Sequence, residues 1–221
     1  MQEGAARMKY DLVIFDFDYT LADASESIIE GFYYAFDYLN IKNINKDRIR
    51  ETIGMSLKDA YKYLLGKFNK TKFEIFYEKF IEFTDTEMIK NTMIYEGVEA
   101  VLDTLHSNGV RTAILTNKFS QSVEEVLQRD GLIEKVDYII GSNDLSTSKP
   151  NPEGLNKILD KFGIDRDNAV YVGDHCVDAQ AAEAANIDFL GVTSGVTKYE
   201  ELEKYDSVGI VKYLNDVLCF F

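Results

Sequence analysis

Leu12-Val13-Ile14-Phe15-Asp16-Phe17-Asp18-Tyr19-Thr20-Leu21 is the stretch that decides the fold. Its first four residues are an unbroken apolar run, the pattern of a strand buried on both faces in a parallel sheet. Two carboxylates one residue apart follow at the carboxyl end, which is where open α/β sheets place their ligands. Like charges held together there are costly unless a cation or a shared proton relieves them. The stretch therefore points to a metal-assisted site or an acid/base pair.

Working outward, apolar runs at 113–115, 138–140 and 169–172 predict further buried strands, and 189–192 a fifth. Helical spacings separate them. Val98, Val101, Leu102 and Leu105 mark one helix, which Asn108-Gly109 ends in the left-handed conformation. Val123, Val126 and Leu127 mark a second, closed by Asp130-Gly131, and Leu155, Ile158, Leu159 and Phe162 a third, ending at Gly163. Strand and helix alternating in this way predict an α/β fold with a doubly wound parallel sheet, a Rossmann-like core. Residues 23–92 break the rhythm. They hold helical periodicity rich in Tyr and Phe (Ile28, Phe32, Ala35, Phe36 and Leu39, then 57–65, then 73–83) and are too long for one crossover. They read as a helical insert over the carboxyl end of the sheet, with most of their aromatic rings serving as core. The division expected is 8–22 and 93–221 for the catalytic core and 23–92 for the insert, with residues 1–7 a possible extension ahead of Met8.

A chain of 221 residues suffices for one such core plus a smaller insert. Its 24 Lys and Arg against 38 Asp and Glu give a net charge of −14, which argues against binding nucleic acid or an anionic membrane surface. An anionic substrate would need local positive charge, from a metal or from a few placed side chains. Two cysteines, Cys176 and Cys219, imply no disulfide framework, and two histidines, His106 and His175, leave no His-rich zinc site. With no membrane-length apolar run and no signal-peptide pattern, a cytoplasmic protein is expected.

Three more segments end strands on the same rim. Thr116-Asn117 can donate to phosphate oxygens without adding charge, although Thr-Asn is also a common strand ending. Lys149 stands in Lys-Pro-Asn-Pro, which contains the only two prolines of the chain. These fix the loop and hold the lysine in place, where an isolated lysine beside a turn would simply be solvated. Asp174 and Asp178 follow the 169–172 strand, four residues apart, and suit a hard cation such as Mg2+. A single Asp there would be read as a helix cap, but three polar strand ends together make a site.

This set, in this order, resembles the haloacid dehalogenase superfamily over nearly the whole chain. Asp16 to Leu21 resembles its first motif, Asp-x-Asp-x-Thr-Leu. Thr116 resembles the second-motif hydroxyl, Lys149 the third-motif lysine, and Gly173-Asp174 through Asp178 the fourth motif. The insert lies where class I helical caps lie, and Tyr95-Glu96-Gly97-Val98 with Ile114-Leu115-Thr116-Asn117-Lys118 looks like the phosphoglycolate phosphatase branch. The resemblance implies a Mg2+-dependent phosphatase acting on a small phosphorylated metabolite, as monomer or homodimer. Asp16 would be the nucleophile and Asp18 the acid/base. Mg2+ would be held by Asp16, the Asp18 carbonyl and Asp174, with Asp178 a ligand directly, a ligand through water, or a support for Lys149. Phosphate oxygens would be bound by Thr116, the Asn117 amide and the amides near Phe17 and Asp18. A cap loop at Gly54 would select substrate, with Arg50 or Lys58 meeting a carboxylate or second phosphate. His175 and Cys176 would pack behind the metal.

The chain departs from that branch at Tyr19, where Gly is common, at Ala24, where Ser often stands, and at Asn186, another common Gly. Tyr19 is expected to narrow the phosphate entry or touch substrate. A phosphosugar mutase of the β-phosphoglucomutase type is the enzymatic alternative, disfavoured because no His lies in 23–38. A non-turnover phosphoacceptor or binding protein is the alternative from a different class.

Overall fold

The apolar run that opens the chain forms β1 (Leu12–Phe15), and none of its four side chains reaches solvent. The computed structural model describes residues 8–221, apart from the side chains of residues 85 and 86; the extension expected at 1–7 lies outside the described residues. After β1 come β2 (Ala22–Asp23), α1 (Ser25–Tyr38), α2 (Lys46–Arg50), α3 (Leu57–Leu65), α4 (Lys70–Asn91) and β3 (Met93–Ile94). The chain continues through α5 (Val98–Ser107), β4 (Arg111–Leu115), α6 (Ser120–Arg129), β5 (Tyr138–Ile140), α7 (Glu153–Phe162) and β6 (Ala169–Gly173). It ends with α8 (Cys176–Ala185), β7 (Asp188–Val192), α9 (Tyr199–Leu202), β8 (Gly209–Val211) and a terminal 3-10 helix.

Six strands form one parallel sheet in the order β5-β4-β1-β6-β7-β8. β1 is central, with Ile14 opposite both Ala113 and Tyr171. The chain leaves β1 toward β4 and leaves β6 toward β7, so the connections part at the carboxyl ends of β1 and β6. That parting opens the crevice in which such sheets bind ligands. Side chains alternate across the sheet as the strand period requires. Val13 and Phe15 pack with α5 and α6 on one face, and Leu12 and Ile14 with α7 and α8 on the other.

All five expected strands are present, and the doubly wound α/β fold is borne out. Two features were not expected. β8 is a three-residue, half-buried edge strand, too short to give an apolar run. β2 and β3 pair antiparallel in a two-stranded ribbon at the foot of the insert. α2 begins at Lys46 because the Asn45 side chain caps it, accepting from the Asp47 amide at 2.7 Å, and residues 51–55 turn toward the core. Ala24 and Asn186 behave as mild departures. Ala24 offers α1 no side-chain cap, and Asp23 accepts from the Ser25 amide instead at 2.8 Å. Asn186 ends α8 at φ 54°, a left-handed position that Asn tolerates.

Helices α1 to α4 enclose a separate apolar cluster. Phe76 is at its centre, fully buried, with the rings of Phe32, Phe36 and Tyr61 at 5.0–5.3 Å. Phe76→Ala is expected to cost about 3–5 kcal/mol of stability, measured by urea unfolding; a loss below about 1 kcal/mol would show that the cluster does not hold the helices together. Among the described residues, no helix is long and apolar enough to cross a membrane.

Candidate active site

Lys149 is the hub of the site. The residue is 2 % exposed at the bottom of the crevice, an environment that a lysine tolerates only when fully partnered. All three of its N–H donors are used: to Asp16 Oδ1 at 2.7 Å, to Asp178 Oδ1 at 2.6 Å and to the Tyr171 hydroxyl at 2.8 Å. Burial pulls its ammonium pKa down, but the Asp16 and Asp178 carboxylates outweigh burial and hold it above the ordinary lysine range.

Asp16 follows β1, and Asp174 and Asp178 follow β6, so the central strand pair brings all three together. One carboxylate oxygen from each lies within 4.8 Å of the others. Asp16 Oδ2, Asp18 Oδ1 and Asp174 Oδ2 are buried without a hydrogen-bond partner. Burial is the main force raising the Asp16 pKa to about 7, offset by Lys149 and reinforced by Asp178. Burial, then Asp178 and Asp16, raises Asp174 well above the carboxylate range. A hard cation relieves this strain, and the unpartnered oxygens of Asp16 and Asp174 fit one. Asp178 is differently placed. Its Oδ1 is taken by Lys149, and its Oδ2 accepts from the His175 amide at 3.0 Å, closing a capping box on α8. Asp178 is thus tied to Lys149 while also belonging to the carboxylate cluster. Two glycines allow the crowding. A Cβ on Gly173 would come within 2.6 Å of the Asp178 carboxylate, and one on Gly195 within 1.8 Å of Asp174 Oδ2.

These shifts give a testable sign. Both carboxyls have folded pKa values above their unfolded ones, so their contribution to stability is present at low pH. For Asp16 it is lost as pH rises from the ordinary carboxylate range through about 7, and for Asp174 it is lost as pH rises well above that ordinary range. A cation needs the ionised carboxylates and competes with their protons. Mg2+ at about 100 times its dissociation constant is expected to add about 2.7 kcal/mol, or roughly 5–10 °C in Tm, at pH 8, and clearly less at pH 5.5. Thermal melts with Mg2+ and with chelator test this; an increment independent of pH would place the cation elsewhere.

The remaining predicted residues are distributed as follows. Thr116 is buried at the end of β4, its hydroxyl accepting from the Lys118 amide at 3.1 Å. Asn117 is a bridge: its Oδ1 accepts from the Lys149 amide at 3.0 Å, and its Nδ2 donates to the Gly54 carbonyl at 2.9 Å. Gly54 thus reaches the core directly. Phe17 buries its ring in the core, and its carbonyl accepts from the Leu21 and Ala22 amides to close the turn after β1. Arg50 is not brought into the cavity lining; its guanidinium is engaged by Glu26 at 3.0 Å and Asp47 at 3.6 Å. Lys58 does line the cavity, with its ammonium 5.5 Å from the Phe68 ring. Tyr19 lies outside the lining, buried against the insert at φ 64°. That left-handed backbone is the physical reason a glycine suits the position. His175 caps α8, its Nδ1 accepting from the Val177 amide at 3.1 Å, and burial lowers its pKa. Cys176 and Cys219 are both free, and His106 is exposed in the last turn of α5.

Two participants escaped the sequence reading. Tyr171 was read only as a strand residue. Its hydroxyl accepts from Lys149 and lies 3.0 Å from both the Leu115 carbonyl and Asp178 Oδ1, to one of which it donates. The signal was a polar-tipped ring in a buried strand, which must find a partner. Lys118 pairs with Asp18 Oδ2 at 3.2 Å, both side chains nearly buried. It closes the segment Ile114-Leu115-Thr116-Asn117-Lys118, whose resemblance to the branch carries no role for the lysine itself.

Above this floor lies a cavity of about 840 Å³, bounded by the core loops on one side and by α3, α4 and the Gly54 loop on the other. The haloacid dehalogenase-like hydrolase family matches residues 13–192, which takes in every motif residue named above. The chain belongs to that family. It is 29 % identical over 212 residues to pyrophosphatase PpaX of Halalkalibacterium halodurans, covering 96 % of each chain. It is 30 % identical over 190 residues to a phosphoglycolate phosphatase of Rhodobacter capsulatus, covering 84 % of this chain and 85 % of the relative. A solved haloacid dehalogenase-like protein from Bacteroides fragilis superposes with a TM-score of 0.92 at 32 % identity, over 95 % of this chain and 100 % of the other. The resemblance read from the motifs is borne out, and the protein is a hydrolase of this family.

Proposed function

We propose that this protein is a Mg2+-dependent phosphatase that cleaves a phosphate monoester through an aspartyl-phosphate on Asp16. The observation that carries this reading is the buried hub: Lys149 pins one oxygen of Asp16 and leaves the other unpartnered beside Asp174, at the floor of a cavity. The relatives named pyrophosphatase and phosphoglycolate phosphatase support phosphorus chemistry.

Asp16 attacks phosphorus, forming the P–O bond to its carboxylate as the bond to the leaving alcohol breaks. Asp18, held by Lys118, gives its proton to the departing alkoxide. It then takes a proton from the water that attacks the acyl phosphate, releasing phosphate and restoring Asp16. Thr116 and the Asn117 amide orient the phosphoryl oxygens. Lys149 offsets the repulsion between Asp16 and the dianion, and Asp178 with Tyr171 keeps the lysine in place. Asp16, Asp174 and the Asp18 carbonyl would hold Mg2+, which when bound adds positive charge against the same repulsion.

Asp18→Asn is expected to lower kcat by roughly 10²–10⁴-fold, the usual worth of a positioned acid/base, while Mg2+ still raises Tm. Phosphate release and thermal melts on the same preparation check it. Turnover equal to wild type would remove Asp18 from the proton-transfer role.

A further inference from the structure

We infer that the substrate is a phosphate monoester whose alcohol carries a flat, largely apolar ring system, of about the size of a nucleoside 5′-monophosphate. This inference rests on the phosphatase reading above and goes beyond it in naming what lies past the phosphate. With the phosphoryl group on Asp16, the rest of the substrate must fill the cavity that rises from it. Its volume, about 840 Å³, is in the range that receives ligands of drug size. Inorganic pyrophosphate or a two-carbon phosphate would leave most of it to water.

The character of the walls agrees. Phe73, Tyr77, Ile81, Thr84 and Met88 line the cavity at spacings of three and four along α4, so one helix face runs beside it. At 1.5 Å per residue that stripe is about 22 Å long. Most rings of the insert are spent on its own core, Phe73 among them through Tyr61, Phe68 and Phe76 though it also reaches the lining, whereas Tyr77 is 36 % exposed in the lining. Tyr77 meets Phe119, from the loop after β4, at 6.3 Å and 61°. An aromatic pair thus spans the two lobes over the floor, the arrangement on which a planar ring stacks. The lining also holds neutral polar side chains, among them Ser122, Ser142 and the Nδ2 of Asn151, which suit ring heteroatoms and hydroxyls.

The charges argue against a second anionic group. The lysines in the lining are Lys58, Lys62, Lys118 and Lys149, and no arginine joins them among the described residues. Lys62 holds Asp59 at 3.0 Å, Lys118 holds Asp18, and Lys149 holds Asp16 and Asp178. Arg50, which a second phosphate could have used, is held by Glu26 and Asp47. In a chain of net charge −14, a second phosphate would find Lys58 and little else.

The test is kcat/KM for phosphate release, with Mg2+, from adenosine and uridine 5′-monophosphates, riboflavin 5′-phosphate, pyridoxal 5′-phosphate, phosphoglycolate, glycerol 3-phosphate and pyrophosphate. Asp16→Asn serves as the blank. Ring-bearing esters are expected to lead by at least about tenfold. Tyr77→Ala is expected to shrink that lead by roughly tenfold, within the worth of one ring stack, mainly through KM, and Tyr77→Phe to restore it. Phe119→Ala is the second variant should Tyr77→Ala misfold. Asp16-dependent release led by phosphoglycolate or pyrophosphate would overturn this inference and leave the phosphatase reading standing. No Asp16-dependent release from any compound would overturn both. A ring preference untouched by Tyr77→Ala and Phe119→Ala would overturn the assignment of this wall.

Discussion

Asp16→Asn is expected to remove phosphate release almost entirely, by about 10⁴-fold or more, the scale on which loss of a covalent nucleophile registers. The amide is nearly isosteric with the carboxylate, and its oxygen can still accept from Lys149, so the site remains assembled. What is lost is the anionic oxygen that attacks phosphorus. The variant is also expected to be at least as stable as wild type without metal. Burial raises the Asp16 pKa to about 7, so near neutrality the fold carries an ion it does not favour, and the amide removes it. Inactivity with full stability separates a chemical role from a structural one. An Asp16→Asn protein that unfolds at room temperature, or that keeps even a tenth of wild-type kcat, would contradict the assignment.

Lys149→Met has the opposite profile. Methionine fills a similar volume without charge, leaving Asp16 and Asp178 without the cation that each holds at 2.6–2.7 Å. Stripping one partner from a buried ion pair costs about 3–5 kcal/mol, and here one lysine serves two carboxylates. The loss is expected to be greatest at pH 8 and to shrink toward pH 5.5. Lys149 is what holds the Asp16 pKa down against burial, so without it the carboxyl protonates at higher pH and the charge disappears. Activity is expected to fall below detection at every pH. Urea unfolding at the two pH values, without Mg2+, reads the effect directly. A penalty equal at both would mean that lost packing, not unpaired charge, is the cause.

The floor of the candidate site was legible because its residues occur where a parallel sheet must end. β1 and β6 are apolar runs that cannot be anything but buried, and the polar residues that close them, Asp16 and Asp174, have nowhere to go except the crevice. Lys149 was legible through its prolines. The contacts that complete the site were less so, since they depend on which partners three-dimensional packing supplies. Tyr171 is a strand residue whose ring direction is set by register against Ile14. Arg50 carries the charge expected of a substrate contact, yet Glu26 on α1, distant in sequence, captures it. Asp178 shares the spacing of a metal ligand with Asp174, and its hydrogen bond to Lys149 at the start of α8 follows only from the packing. Tyr19 looked like a gate, and its left-handed backbone turns it into the insert.

The proposed covalent bond between phosphorus and Asp16 is open to one direct measurement. Asp18→Asn protein, which is expected to accumulate the acyl phosphate because its hydrolysis lacks a base, is mixed with Mg2+ and a phosphate monoester that the wild type hydrolyses. It is then quenched in acid, reduced with borohydride, and digested for mass spectrometry. Residue 16 is expected to be recovered as homoserine, dependent on both Mg2+ and substrate. An unmodified Asp16 from wild type and variant alike, under conditions of active phosphate release, would contradict it and point to direct attack by water.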